Sequence, residues 1–501
     1  MTHLYNTGVS YKKDLLPTLV DREAELAALD AQLAGSSSRR HSAFILLYGR
    51  RRVGKSTLLK AWAGGSGLPY TYWAADKDLA EVQRRQFYDR FSQTQDPGAA
   101  RFESWSAVFE QIALVVGDKR HILILDEVTY ASQSDPNFYV ALQHAWDQHF
   151  LHSRIILVLC GSHVRMMSEL FGEGHPLFGR FTLPLYLEPL AFAQLRKFFP
   201  RWSAEERVAA YAMVGGIPEY YEWLEPTLSL RDNLRQRVIQ KPSPFLTEAR
   251  FLLYDNLEQP AAHLSVIRAI GEGRHTFDEI RLASEGASHK LTPYLDRLRD
   301  LRLIERTVSA LIRPQKRKDS KNSRWVLSDP FLRFYFRFVA PALEVEPYDA
   351  SELTELIWGQ LRAFVGQTAF ENICRDWVRQ VGTAKGVLPF RPSYVGRHWS
   401  KTVEADVIGI QWEARQILIG ECKWDDHPVS REQARHLVEV TAPKTLADLA
   451  RQAGGGEDEI QRWQTHLAFF SRKGFTPDAQ RYLRISDVLA VDLKRIDADL
   501  R

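Results

Sequence analysis

The sequence predicts an α/β fold: a parallel sheet carrying a phosphate-binding loop, then a helical lid, a winged helix-turn-helix and a second, C-terminal α/β domain. Three observations predict it. Apolar runs of strand length, Phe44–Tyr48, Ile122–Leu125 and Ile155–Cys160, alternate with helical patterns. Continuous apolar strands of this kind belong to parallel sheets covered on both faces. The first run leads directly into Gly49-Arg50-Arg51-Arg52-Val53-Gly54-Lys55-Ser56, which fits GxxxxGK(S/T). Far downstream, Glu404–Gln411 alternates into a strand and, across a short turn, Gln416–Cys422 forms a second, as in a hairpin.

Composition sets the outer limits. With 501 residues, and roughly 100–200 per domain, about three domains are expected. An apolar fraction of 45% and a charged fraction of 26% exclude a disordered chain, a collagen-like fibre and a small disulfide scaffold. Each domain can bury a core without metal or disulfide staples. Cys160, Cys374 and Cys422 make no disulfide framework, which points to a reducing compartment. The net charge of +4 is too small to name a partner. No apolar run approaches the ~18–20 residues of a membrane-spanning helix, and the opening MTHLYNTGVS lacks the pattern of a signal peptide. A cytoplasmic protein is expected. The histidines show no HxxxH or Cys/His ligand spacing, so no zinc site is predicted.

Four segments follow in order: the α/β core at about 1–185, the lid at 186–250, the winged helix at 251–340 and the C-terminal domain at 355–501. Within the core, Asp21–Leu33 is helical by pattern, Ala43–Tyr48 is a buried strand, and a helix begins near Lys55. The residues of the intervening turn, Gly49, Arg50, Arg51, Arg52, Val53, Gly54, Lys55, Ser56 and Thr57, form the candidate nucleotide cradle. Its glycines let backbone N–H groups turn toward phosphate oxygens, and the helix N-terminus adds partial positive charge. Lys55 is placed for the β- and γ-phosphates and Ser56 for Mg²⁺. Ile122–Leu125 then delivers Asp126 and Glu127 to the sheet edge where ligands sit. Asp126 is assigned to Mg²⁺, and Glu127 to the attacking water. Ser162, after the next strand, reads equally as a γ-phosphate sensor or a helix N-cap. Arg180 reads as transition-state charge or as a surface arginine.

These residues carry a resemblance. Val20-Asp21-Arg22-Glu23 with Glu25-Leu26, the GRRRVGKST loop, the Leu-Asp-Glu strand end, Gly179-Arg180 and Gly215-Gly216-Ile217-Pro218 resemble the archaeal-type ATPases, a branch of the STAND and AAA+ class of P-loop NTPases. The resemblance covers most of 15–250. It implies ATP as cofactor, Asp21 and Arg22 near the adenine, and the GGIP turn in the lid.

Between 255 and 340, three short helices (Ala261–Ala269, Phe277–Ala283, Lys290–Arg302) precede two short strands (Ile304–Val308, Arg324–Leu327) flanking a basic tip. This order describes a winged helix-turn-helix. Ser288, His289, Lys290 and Thr292 would meet base edges. Arg313, Lys316, Arg317, Lys318 and Lys321 would contact phosphate. The alternative is a winged helix that only packs against the ATPase. After Pro341 an acidic stretch reads as a linker, and a helix is expected around Phe364–Val378.

In the C-terminal domain Glu421 and Lys423 share one strand face, and pairing brings Asp406 beside them. Two carboxylates with a nearby lysine suit a Mg²⁺ site for phosphodiester cleavage; a surface charge pair is the alternative. Asp406…Glu421-x-Lys423 resembles the PD-(D/E)xK restriction-endonuclease-like core, although the first acid reads Glu-Ala-Asp without a preceding proline. The resemblance adds Glu371 as a further acidic position. Ser328-Asp329-Pro330-Phe331, Val395-Gly396-Arg397 and Gly-Glu-Cys-Lys-Trp resemble the uncharacterised domain that accompanies archaeal-type ATPases. The expected function is a Mg²⁺-dependent ATPase that acts on DNA and cleaves it through Glu371, Asp406, Glu421 and Lys423. The alternatives are an ATP-driven switch or a transcription regulator whose nuclease-like domain does not cut. A homo-oligomer is compatible with the sequence.

Overall fold

The computed structural model describes residues 19–34, 42–93, 102–254, 257, 260–284, 288–345, 347–455 and 457–500. The chain forms two compact units. One runs to Leu190 and takes in Ile217–Glu219; the other holds Ala191–Gly216 and everything from Tyr220 onward. The boundary runs through the GGIP turn, so most of the segment expected as a lid groups with the chain downstream.

The first unit is built on five parallel strands, β1 (Ala43–Tyr48), β2 (Tyr70–Ala74), β3 (His121–Asp126), β4 (Ile155–Gly161) and β5 (Leu183–Tyr186), in the order β2-β3-β4-β1-β5. The three strands expected from the sequence are the three central ones. β2 and β5 lie at the edges, where one side is uncovered and a continuous apolar run is not required; β2 alternates and β5 contains Pro184. The core packs Phe44, Leu46, Leu123 and Leu157 against Trp105, Phe109, Phe138 and Trp146, all buried. Full burial of each such side chain contributes about 1.5–3 kcal/mol.

In the second unit, helices Pro260–Gly271, Phe277–Ala283 and Leu291–Asp300 precede an antiparallel pair, β6 (Ile304–Val308) and β7 (Ser323–Leu327). Thr276 and Glu279 form a reciprocal cap on the middle helix. The β6–β7 connection contains a short helix, Pro314–Arg317, and it is joined to the C-terminal sheet. That sheet comprises β8 (Tyr394–Trp399), β9 (Glu404–Gln411), β10 (Gln416–Lys423), β11 (Gln464–Ser471) and β12 (Val488–Asp492), ordered β12-β11-β10-β9-β8. The strands β8, β9 and β10 are antiparallel neighbours, whereas β10, β11 and β12 run parallel. The sequence reading placed only β9 and β10.

The expected linker after Pro341 is partly helical. A helix spans Ala350–Val365, with Asp349 accepting the backbone N–H groups of Ser351 and Glu352. Leu353, Ile357, Leu361 and Phe364 form its buried face. The acidic residues around them hid this spacing in the sequence.

The connection after β6 is tied to the sheet by a buried relay. Ser309 Oγ lies 2.7 Å from His398 Nδ1, and His398 Nε2 lies 2.9 Å from Asp448 Oδ2. Burial lowers the His398 pKa, against the opposing pull of Asp448 and Glu404, with Arg451 adding to the lowering. The neutral ring then accepts from Ser309 and donates to Asp448. A depressed histidine contributes stability that is present above its ordinary value of 6.5 and lost as pH falls through the folded value. Urea unfolding is therefore expected to show wild type losing more stability between about pH 6.5 and 5 than His398→Asn loses. Parallel pH profiles would contradict this assignment.

Candidate functional site

The phosphate loop leaves the C-terminal end of β1, between the ends of its neighbours. Gly49 is required by close packing: a Cβ there would lie 2.7 Å from the Leu187 carbonyl oxygen. Gly54 has φ +97°, a conformation that favours glycine. Lys55 opens the helix Lys55–Gly65, and its Nζ donates to the carbonyls of Gly49 and Arg50, each at 3.0 Å. Val53 is buried, and Arg51 and Thr57 are exposed. Arg52 pairs with Glu219.

At the end of β3, Asp126 is buried and accepts three hydrogen bonds. Its donors are Ser56 Oγ at 2.6 Å, the Tyr72 hydroxyl and the Glu127 N–H at 2.9 Å. Glu127 has φ +51°. Its Oε2 accepts the N–H of Ser162 at 3.1 Å and Ser162 Oγ at 3.0 Å. The ends of β3, β4 and β1 thus bring Ser56, Asp126, Glu127 and Ser162 into one hydrogen-bonded group. A serine hydroxyl beside a buried carboxylate at the loop is a hard-oxygen pair that fits Mg²⁺.

Tyr72 escaped sequence reasoning. It lies on an edge strand, and only the pairing of Tyr72 with Ile124 and of Ala74 with Asp126 brings it near. Burial and then Asp126 push its hydroxyl far up, so it remains a donor. Tyr72→Phe is expected to lower ATP hydrolysis about 10–100-fold, the usual cost of losing a group that orients a metal ligand. Steady-state hydrolysis against Mg²⁺ concentration checks it; an unchanged rate contradicts it.

Arg22 and Arg180 are held in different ways. Arg22 is buried and grips the loop region, donating to the carbonyls of Val53 at 3.2 Å and Glu188 at 3.0 Å. Asp21, beside it, has φ +57°. Arg180 does not reach the site of its own chain. Its guanidinium makes a two-point pair with Asp147, at 2.9 and 2.7 Å, and donates to the Pro176 carbonyl. The Thr182 N–H bonds to Phe44 near the start of β1, whereas the loop follows Tyr48 at its other end. Arg180 therefore lies toward the opposite edge of the sheet.

The second cluster lies in the C-terminal sheet. The β9–β10 register pairs Val407 with Gly420, and one step further sets Asp406 opposite Glu421 on a shared face. Cys422 N–H donates to Asp406 Oδ2 at 2.8 Å, and Lys423 Nζ pairs with Glu421 Oε1 at 2.8 Å. The helix Glu371–Trp377 supplies Glu371, which pairs with Arg375 at 3.3 Å. Arg375 also donates to the Asp406 carbonyl at 2.6 Å.

Burial, then Glu371 and Glu421, push Asp406 well above the carboxylate range, against the Cys422 N–H and Lys423. Burial likewise raises Glu371, against Arg375 and Arg397. Burial alone would lower Lys423, but Glu421 and Asp406 outweigh it and raise its pKa. Arg375 and Arg397 were not predicted as site residues; Arg375 follows Glu371 by one helical turn, and only the fold brings in Arg397. Among the described residues, no three His, Cys, Asp or Glu side chains stand close enough to hold one metal ion. The facing pair Asp406 and Glu421 still fits Mg²⁺, which takes one or two carboxylates and completes its shell with water and phosphate.

The predicted DNA contacts divide. His289, Lys290, Thr292, Arg313, Lys316, Lys318 and Lys321 are exposed. The Ser288 side chain lies outside the described residues. Arg317 does not serve as a free phosphate contact. Its guanidinium lies 3.5 Å from the centre of the Tyr394 ring and donates to the Ile312 carbonyl, so it joins the β6–β7 connection to β8.

Residues 19–224 match a family described as an ATPase domain predominantly from Archaea. Residues 335–437 match one described as archaeal and bacterial proteins of unknown function. An uncharacterized protein of Methanocaldococcus jannaschii is 30% identical over 412 residues, covering 81% of this chain and 88% of the relative. The chain belongs to this archaeal-type ATPase family. The phosphate loop, Asp126 and Glu127 fall within the first matched segment, and Glu371, Asp406, Glu421 and Lys423 within the second. Among solved structures, the Walker-type ATPase of Pyrococcus abyssi has a TM-score of 0.47 at 19% identity, over 64% of this chain and 96% of that one. The Aeropyrum pernix ORC2 protein in ADPNP–ADP complexes has a TM-score of 0.45 at 18% identity, over 71% and 97%. Among the described residues no helix is long and apolar enough to cross a membrane.

Proposed function

We propose that this ATPase acts on DNA and cuts it with its C-terminal domain. The supporting observation is one constellation: Asp406, Glu421 and Lys423 on adjacent strands, with Glu371 on the preceding helix. The order of helices, three antiparallel strands, helix and parallel strand around it agrees with the restriction-endonuclease-like resemblance. The helices and β6–β7 pair before it have the order of a winged helix and carry the exposed cations of a DNA-docking module.

In the ATPase unit, Lys55, which now donates to the Gly49 and Arg50 carbonyls, would turn to the phosphates of a bound nucleotide. Ser56 and Asp126 would hold Mg²⁺, with the Tyr72 hydroxyl fixing the orientation of Asp126. Glu127, steadied by Ser162, orients the attacking water. In the C-terminal unit, Asp406 and Glu421 are the candidate ligands. Mg²⁺ held there would supply Lewis-acid stabilisation of a scissile phosphate and lower the pKa of its water. Lys423 offers a positive hydrogen-bond donor to the attacking water or the phosphate, and Arg375 holds Glu371 and the Asp406 backbone in place.

A second reading, a switch that does not cut, is favoured by the existing partners of the cluster: Glu421 is paired with Lys423, and Asp406 accepts from Cys422. The two readings separate on end-labelled duplex DNA with Mg²⁺ or Mn²⁺. Cation-dependent products support the nuclease, and intact DNA beside full ATP hydrolysis supports the switch.

A further inference from the structure

The relay of Ser309, His398 and Asp448 floors a cleft of about 370 Å³ in the second unit. Its lining includes Asn322, Ser400, Lys401, Thr402, Arg451 and Gln452. Lys401 is exposed and has no carboxylate partner among the described residues. Asn322 Oδ1 accepts from Trp399 Nε1 at 2.9 Å, leaving the amide nitrogen to donate elsewhere. Asp448 is the lining carboxylate, and it is engaged by His398 and Arg451. A cleft with a free ammonium, an amide donor and a neutralised floor is suited to an anion.

Its position narrows the class of anion. Lys321, at the edge of the exposed basic tip, directly precedes Asn322. At the other side, Thr402 is four residues before Asp406, at most about 14 Å of extended chain. The Trp399 ring between them carries the guanidinium groups of Arg324 and Arg397 at 4.8 and 5.2 Å.

We propose that this cleft seats a backbone phosphate of duplex DNA and sets the register between the docked DNA and the Asp406 carboxylate. The inference rests on the DNA-cleaving reading above. The hairpin, β8 and the helix Ala442–Ala453 are held together by the relay, so the subsite is a fixed ruler rather than a mobile wing.

The test is duplex binding by the full chain from 50 to 200 mM KCl, comparing wild type with Lys401→Ala, Lys401→Glu and the exposed control Lys119→Ala. Loss of one phosphate contact is expected to reduce the slope of log K against log salt by about 0.9 for Lys401→Ala. Lys401→Glu should weaken binding further, and Lys119→Ala should match wild type. Adding 10 mM inorganic phosphate at constant ionic strength should not compete. DNA binding with an unchanged slope in Lys401→Ala overturns the subsite and leaves the DNA reading intact. Specific competition by inorganic phosphate assigns the cleft to a free anion and also overturns it. Failure of wild type to bind DNA at any salt overturns both.

Discussion

Lys55→Ala is expected to lower ATP hydrolysis by more than about a hundredfold, the scale set by removing one preorganised charge from a reacting phosphate or oxyanion. The geometry makes the loss specific. Lys55 is buried, and its ammonium bonds two loop carbonyls, so the cation is already held at the cradle. Leu58, Leu59 and Trp62 keep the following helix packed, which makes loss of the fold a poor account of the variant. Circular dichroism should be unchanged while phosphate release falls. A variant that keeps wild-type turnover would remove Lys55 from the mechanism.

Asp406→Asn is expected to remove cation-dependent DNA cleavage, with a loss on the order of a thousandfold from the several kcal/mol a metal contributes. ATP hydrolysis and duplex affinity should stay near wild type, because neither the phosphate loop nor the basic tip is altered. Lys423→Ala should lose less, about 10–100-fold, since it removes one donor and leaves both candidate metal carboxylates. Equal losses of cleavage and ATP hydrolysis in Asp406→Asn would point to a folding defect.

Legibility in the sequence followed how local the chemistry was. The phosphate cradle was readable because its residues are contiguous and its flanking strand and helix are strongly patterned. Asp406, Glu421 and Lys423 were readable from alternation, since a short turn left one sensible register. Tyr72 was not, because its approach to Asp126 depends on β2 pairing with β3. Between the two readings of Arg180 the sequence could not choose, because which edge of the sheet it occupies is decided by β5, a four-residue strand with a proline. Arg317 looked like one more cation at a basic tip, and only the Tyr394 ring on β8 gave it another task. The helix Ala350–Val365 was masked by charge, although Asp349 and the Leu353–Ile357–Leu361 spacing were both present.

The central claim is most directly tested by conversion of supercoiled plasmid to nicked or linear DNA in Mg²⁺ and Mn²⁺. Wild type and the Asp406→Asn/Glu421→Gln double variant would be run with and without ATP, beside their own ATP hydrolysis rates. The expected result is cleavage by wild type and none by the double variant, with equal hydrolysis in both. Intact plasmid with an active wild-type ATPase, or equal cleavage by the double variant, would contradict it.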